Sequence, residues 1–352
     1  MISFSSIHNE KMHSNKQWID VLRSELGFTG LIVSDWAGHT EIDGPDKFAQ
    51  AINAGIDMIM IPEDYQLFIT EVVGNVEDGT ISITRIDEAV RRILTLKFEM
   101  GLFENPFADD SLIPLVGSDE HMAVARDAVR KSLVLLENKN TVLPLSANST
   151  IALVGTKAKD LGALCGGWTI YWGGYSEYET LHPWLEQNSA RAVANNEQVN
   201  GMDLLTAFTE RLGSTSILYS DDGSDITGAD CAVVVVGEKP YTEMTGDTDS
   251  LALSKLDIDR VRTAKGQGLP VVVVVISGRP LILDSILPYC DAVVAAWLPG
   301  SMAGPGIADV LFGDYNFTGK LSVTWPESMD QLPINVGDGK EGLYPFGYGL
   351  SY

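Results

Sequence analysis

The chain has 352 residues, with 24 Lys and Arg against 48 Asp and Glu, a formal net charge of −24. A surface this acidic repels phosphate backbones and anionic bilayers, so neither nucleic acid nor membrane is an expected partner. Hydrophobic residues at 45% and charged residues at 20% specify a globular chain long enough for two domains.

Residues 1–104 read as βα units. Ile2-Ser3-Phe4 is expected to end a strand, and Trp18, Val21 and Leu22 mark one face of a helix from about Asn15 to Leu26. Gly30-Leu31-Ile32-Val33 predicts a short strand that runs out at Ser34-Asp35. Lys47–Asn53 reads as a helix, Asp57–Ile61 as a strand closed by Pro62, and Thr84 as the cap of a helix carrying Ile86, Val90, Ile93, Leu94 and Phe98. Gly101 follows where a helix terminator is expected. Residues 105–145 form a connector, Pro- and Asp-bearing at first and then helical over Asp119–Asn138.

From 146 to 352 strands and helices alternate. Strands are expected at Ile151–Val154, Ser216–Tyr219, Cys231–Val236, Pro270–Ile276 and Ala292–Trp297. Helices are expected near Met202–Leu212, Ser254–Gly266 and Gly304–Phe312, and Tyr171–Asn200 reads as a long loop or insertion. Apolar runs without polar alternation predict strands buried on both faces, hence a mostly parallel sheet covered by helices. Cys165, Cys231 and Cys290 are odd in number and contain no C-x-x-C pair, so neither a zinc site nor a disulfide framework is expected. The five His show no metal spacing. Met1-Ile2-Ser3-Phe4 lacks the charged-then-apolar pattern of a signal peptide, and localisation stays open.

Reactive groups in parallel α/β architectures collect at the C-terminal ends of strands. Asp35 follows Leu31-Ile32-Val33, and Glu243 lies a few residues past Cys231–Val236. Two carboxylates on separate elements suit glycoside hydrolysis, in which one attacks the anomeric carbon and the other protonates the leaving oxygen. Spacing alone does not select this pair among 48 acidic residues, and an Asp after a strand is commonly a helix cap. Gly155–Gly174 has no G-x-G-x-x-G, and Ser301 in Pro299-Gly300-Ser301-Met302-Ala303 misses the G-x-S-x-G elbow. His13 reads as a packing or surface residue.

Ser34-Asp35-Trp36, Lys11-Met12-His13, Asn53-Ala54-Gly55-Ile56-Asp57-Met58, Leu143-Pro144-Leu145, Cys165-Gly166-Gly167-Trp168, Tyr241-Thr242-Glu243, Ser277-Gly278-Arg279-Pro280 and Trp297-Leu298-Pro299-Gly300 together resemble family 3 glycoside hydrolases of the β-glucosidase and β-glucan exohydrolase type. The resemblance implies a (β/α)8-type barrel, entered here at about its sixth strand (residues 1–104), then a complete α/β sandwich domain at 146–352. It implies Asp35 as nucleophile and Glu243 as acid/base reaching in from the second domain. Trp36 and Trp168 would clamp a glucosyl ring, with Phe4 and Met1 also lining the substrate. The implied activity is retaining, exo-acting hydrolysis of a β-glucoside or β-glucan oligosaccharide, without metal or organic cofactor.

Two positions depart from the pattern. Phe4 stands where relatives often have Tyr, and Glu41 stands near an Arg of some glucan exohydrolases. With strand segments only near 2–5, 30–34 and 57–61, an open barrel edge is expected, available to self-association or to a complementing chain. The competing expectation is a carbohydrate-binding or assembly remnant without catalysis. The N-acetylglucosaminidase branch of the family fits less well, since the chain carries the whole second domain and Tyr241-Thr242-Glu243.

Overall fold

In the computed structural model, residues 1–181 and 199–352 are described, so most of the expected insertion at Tyr171–Asn200 lies outside the described residues. The chain divides into two compact units, Met1–Ser111 and Leu112–Tyr352.

The first unit begins with an extended segment rather than the expected strand at Ile2-Ser3-Phe4. The Ile2 N–H reaches the Val33 carbonyl at 2.9 Å, but regular pairing starts only in a hairpin of β1 (Ser6–Ile7) and β2 (Glu10–Lys11). Its turn residues His8 and Asn9 both have positive φ, 52° and 67°, the geometry that fits a two-residue hairpin to the twist of its strands. A helix follows at Lys16–Asp20, where the Asn15 side chain accepts from the Trp18 N–H, and it continues as a π-helical turn over Val21–Glu25.

Strand β3 spans Val33–Trp36 and pairs in parallel with β4 (Met58–Met60). The predicted strand at Gly30–Val33 is therefore displaced toward the C-terminus, and Asp35 lies inside the strand rather than after it. The carbonyl of Ile32 is taken by the Asp57 and Met58 N–H groups at 2.9 and 3.1 Å, which delays the ladder to Val33. Helices at Lys47–Ala54, Tyr65–Glu77 and Ile83–Glu99 complete the unit. Ser82, not Thr84, caps the last of these, accepting from the Arg85 N–H at 3.2 Å. The Tyr65–Glu77 helix is not among the expected elements; its Phe68, Val72 and Val76 pack on a second small core of Ala49, Ile52 and Ile81, while Leu67, Ile69 and Val73 are exposed.

One carboxylate organises this unit. The Asp57 side chain is fully buried and accepts from Arg23 at 2.6 Å and from Arg85 and Arg92 at 2.9 Å each. It also accepts the Ile32 N–H at 3.0 Å, while Arg85 reaches on to the Ile52 and Ile56 carbonyls at 2.8 and 2.7 Å. A small core of Ile19, Ile32, Ile42, Ala51, Ala54 and Ile56 packs beside it.

In the second unit the helix at Asp119–Ser132 stops earlier than expected, and β5 (Val134–Asn138) replaces its predicted last turns. Leu133, Val134, Leu135 and Leu136 are all fully buried, which a helix with one apolar stripe could not achieve. The further strands are β6 (Ile151–Val154), β7 (Ile217–Ser220), β8 (Cys231–Gly237), β9 (Val271–Ile276) and β10 (Ala292–Trp297). They form one six-stranded sheet in the order β5-β10-β9-β8-β6-β7, parallel except for β5.

Both faces of this sheet are covered, as the unbroken apolar runs predict. Val233, Val235, Val272 and Val274 face one cluster, and Val234, Val236, Val271 and Val273 face the other. On one face the helix Asp119–Ser132 packs so closely on Ala303–Leu311 that a Cβ at Gly306 would lie 2.5 Å from Val129. Arg126 and Arg130 close that contact on the buried Asp309 carboxylate, at 2.5–2.6 Å. Cys165, Cys231 and Cys290 are free thiols.

Asp57→Ala leaves three guanidinium groups facing an emptied, buried acceptor. It is expected to lower the stability of the first unit by about 3–5 kcal/mol. Hydrogen exchange at the Ile32 and Met58 amides checks this; wild-type protection there would refute the role given to Asp57.

Candidate active site

Asp35 is held by its backbone on both sides. Its N–H donates to His13 Nε2 at 3.2 Å, and its carbonyl accepts from the Ser34 hydroxyl at 2.8 Å. The same Ser34 oxygen accepts the Met60 N–H at 2.8 Å, bridging β3 to β4 where the backbone register slips. Ser34 and His13 are completely buried. The carboxylate itself accepts the Trp36 N–H through Oδ1 at 2.8 Å, and the chain then turns away at Ala37, whose φ is +50°.

Around it, Trp36 is 65% exposed at the end of β3, which leaves its indole free to cover a ligand. Phe4 is partly exposed and meets His13 edge to face, with centroids 5.6 Å apart. Met1 is largely exposed. Glu41 pairs with Lys11 at 2.7 Å. The structure thus gathers Asp35, Trp36 and Phe4 about His13 and β3. His13 is a residue that sequence reasoning assigns to packing or the surface.

Glu243 lies in the second unit on a short 3-10 turn, Glu243–Gly246, that follows β8. Its own φ is +49°, in the left-handed region that costs a non-glycine residue about 1 kcal/mol or more. The loop is braced to keep that conformation. Thr242 and Thr245 form a reciprocal capping box, and the Thr242 hydroxyl donates to the Trp172 carbonyl. Glu238 accepts from Arg279 at 2.7 and 2.9 Å and from the Tyr241 hydroxyl at 3.2 Å. Arg279 also lies over the Tyr241 ring and bonds the Gly246 carbonyl at 2.7 Å. Burial, with the Glu238 carboxylate beside it, pushes the Tyr241 phenol up to about 12, so it stays a donor at any ordinary pH.

This loop brings the second aromatic to the second carboxylate. Trp172 Nε1 donates to Glu243 Oε1 at 3.3 Å, and the Trp168 N–H donates to the Trp172 carbonyl at 2.9 Å. Trp168 is 71% exposed and meets Trp172 edge to face. Gly167 permits the approach, since a Cβ there would lie 2.2 Å from the Tyr241 carbonyl oxygen. Each unit therefore presents one carboxylate with one exposed tryptophan.

The profile described as "Glycosyl hydrolase family 3 C-terminal domain" matches residues 133–352, and "Glycosyl hydrolase family 3 N terminal domain" matches residues 1–96. The chain belongs to glycosyl hydrolase family 3. Among its relatives is a lysosomal beta glucosidase of Dictyostelium discoideum, 32% identical over 100% of this chain and 45% of that protein. Among solved structures, an exo-1,3/1,4-beta-glucanase from a Pseudoalteromonas species superposes with a TM-score of 0.89 at 38% identity, over 99% of this chain and 44% of that one. A beta-glucosidase from Listeria innocua in complex with glucose gives 0.80 at 30% identity, over 97% and 50%. The family 3 chain thus spans about half the length of the relatives it matches.

Sequence reasoning misses the braces. Glu238 and Arg279 are 41 positions apart, yet they follow β8 and β9, which pair directly, so strand adjacency is the signal that could have joined them. His13 and Asp35 are 22 apart, with no periodic relation.

His13 and His39 both have pKa values held below the ordinary imidazole value of 6.5, first of all by burial. Each is a base whose folded pKa is depressed, so the unfolded chain binds more protons as pH drops below about 6.5. Their contribution to stability is complete above that value and is lost as pH falls toward the folded pKa values. Urea midpoints between pH 7 and pH 5 are expected to fall in the wild type and to fall less in His13→Gln; equal slopes would refute the assignment.

Proposed function

We propose that the family 3 chain carries the reacting carboxylates of a retaining, exo-acting β-glucosidase or β-glucan glucohydrolase. Asp35 attacks the anomeric carbon and forms a glycosyl-enzyme intermediate. Glu243 protonates the departing oxygen and then deprotonates the incoming water. Trp36 and Trp168 offer indole faces to the C–H faces of a glucosyl unit, with Phe4 and Met1 at the margin of the substrate. In this reading residues 1–104 are the C-terminal part of the catalytic barrel, 105–145 the connector and 146–352 the sandwich domain.

The observation that carries the reading is the pairing of a backbone-clamped carboxylate with an exposed tryptophan, Asp35 with Trp36 at the end of β3. A nucleophile must be held still, and an exposed indole beside it has no packing role to explain it. The glucose-bound Listeria innocua relative supports a glucoside as substrate.

The helix Ile83–Glu99 leaves Val90, Leu94 and Phe98 exposed, the turn after it Phe103, and the helix Tyr65–Glu77 Leu67 and Ile69. Exposed apolar side chains in this number suit an association surface. We assign it to a further part of the barrel, contributed by more chain or by a second one. A carbohydrate-binding remnant is the reading that remains if catalysis is absent.

Turnover of an aryl β-glucoside decides between these. Activity should be bell-shaped in pH, vanish in Asp35→Ala, and fall roughly 10²–10⁴-fold with loss of the basic limb in Glu243→Gln. A folded wild type with no turnover above Asp35→Ala would sink catalysis by the chain. A basic limb surviving in Glu243→Gln would remove Glu243 from the acid/base role.

A further inference from the structure

His13 has no solvent contact, and one of its ring nitrogens faces a donor. The Asp35 main-chain N–H points at Nε2 from 3.2 Å, and a peptide N–H can only donate. Nε2 must then carry a lone pair, which puts the ring proton on Nδ1. Nδ1 is buried and meets no hydrogen-bonding protein atom among the described residues. We propose that His13 is a positioning residue for Asp35: its neutral Nδ1–H tautomer fixes the main chain from which the carboxylate projects.

The surroundings enforce that contact. Gly38, in the turn after β3, lies so close that a Cβ there would stand 2.2 Å from His13 Nε2 and 2.5 Å from Cδ2. Phe4 closes the ring from another side. The charged and titratable groups facing His13 are Asp35, Glu41, His39 and Lys11. The carboxylates favour a second proton, whereas burial, His39 and Lys11 oppose it, and the opposing effects win. A second proton would set two donors against each other at Nε2 and release the Asp35 backbone. The serine hydroxyl on the carbonyl side would then be the remaining tether.

This inference rests on Asp35 as nucleophile for its catalytic meaning, but its geometry is measurable without turnover. The whole chain, labelled with 15N-histidine and 15N-aspartate, is studied near pH 7.5. The Asp35 amide is assigned by its loss in Asp35→Asn. Long-range proton–nitrogen correlations should show His13 protonated at Nδ1 and bare at Nε2. The Asp35 amide proton should lose its hydrogen-bonded downfield position in His13→Leu and in Gly38→Ala, and recover it in His13→Gln, whose Oε1 can accept in place of Nε2. His13 protonated at Nε2 in the wild type would overturn the proposal, as would an Asp35 amide unmoved by His13→Leu. The wild-type tautomer decides the matter even if a variant fails to fold. On an aryl β-glucoside, His13→Leu should lower kcat by roughly a hundredfold with KM little changed, and His13→Gln should restore most of it. Turnover retained in Asp35→Ala would overturn the nucleophile reading and leave the His13 bond standing.

Discussion

Asp57 sits where the segment leading into β3 meets the one leading into β4, with its carboxylate sealed from solvent and three arginines converging on it. An ionised side chain in that position is tolerable only because its oxygens are met by guanidinium groups and by the Ile32 N–H. The arginines come from distinct places: Arg23 from the first helical segment, Arg85 and Arg92 from the long helix Ile83–Glu99. Arg23 also bonds the Phe28 and Gly30 carbonyls, and Arg85 those of Ile52 and Ile56. A short parallel pair with a modest core is thereby fastened by charge-assisted bonds rather than by burial. Asp35 lies three residues beyond Ile32 on the same backbone, so its position inherits that fastening.

The second unit is held in the opposite way. Its sheet is fixed by apolar burial on both faces, with polar devices at strand ends and between the covering helices, where Arg126 and Arg130 meet Asp309. At the end of β8, Gly237 has φ +138°, and a Cβ there would lie 1.8 Å from the Ile276 carbonyl oxygen. Only glycine lets the chain leave the sheet at that point. Beyond it, the brace of Glu238, Tyr241 and Arg279 carries Glu243 outward on a turn with unfavourable backbone geometry. The position of Glu243 is therefore set by side-chain bonds across a loop, and that of Asp35 by bonds to its own main chain.

These differences explain which features are legible in the sequence. The valine runs of β8 and β9 announce themselves because burial on both faces demands an unbroken apolar string. Strand β5 does not, since Leu133–Leu136 follows a helix without any Gly or Pro, and only its complete burial separates strand from helix. The displacement of β3 toward the C-terminus is likewise hidden, because it depends on which carbonyl the Asp57 and Met58 amides take. Asp35, Trp36, Trp168 and Glu243 are legible as motif positions. What supports them is not: Ser34, His13 and Arg279 stand in the same motif strings, but their parts depend on hydrogen bonds to Met60, Asp35 and Glu238, 26, 22 and 41 positions away, and Gly38 acts by close approach to His13, meetings that no local pattern encodes.

The two kinds of support suit the two proposed roles. A nucleophile forms and breaks a bond to carbon along one line of approach, so tenths of an ångström in its backbone count, and clamping both its N–H and its carbonyl removes that freedom. An acid/base must give a proton to one oxygen and take it from another that arrives later, at a slightly different place. A carboxylate on a braced loop keeps its average position while its side chain can still turn. Trp172 restrains Glu243 by a 3.3 Å bond to Oε1. Rigid main chain under Asp35 and a tethered loop under Glu243 are thus what the chemistry asks of each, reached by different means in the two units.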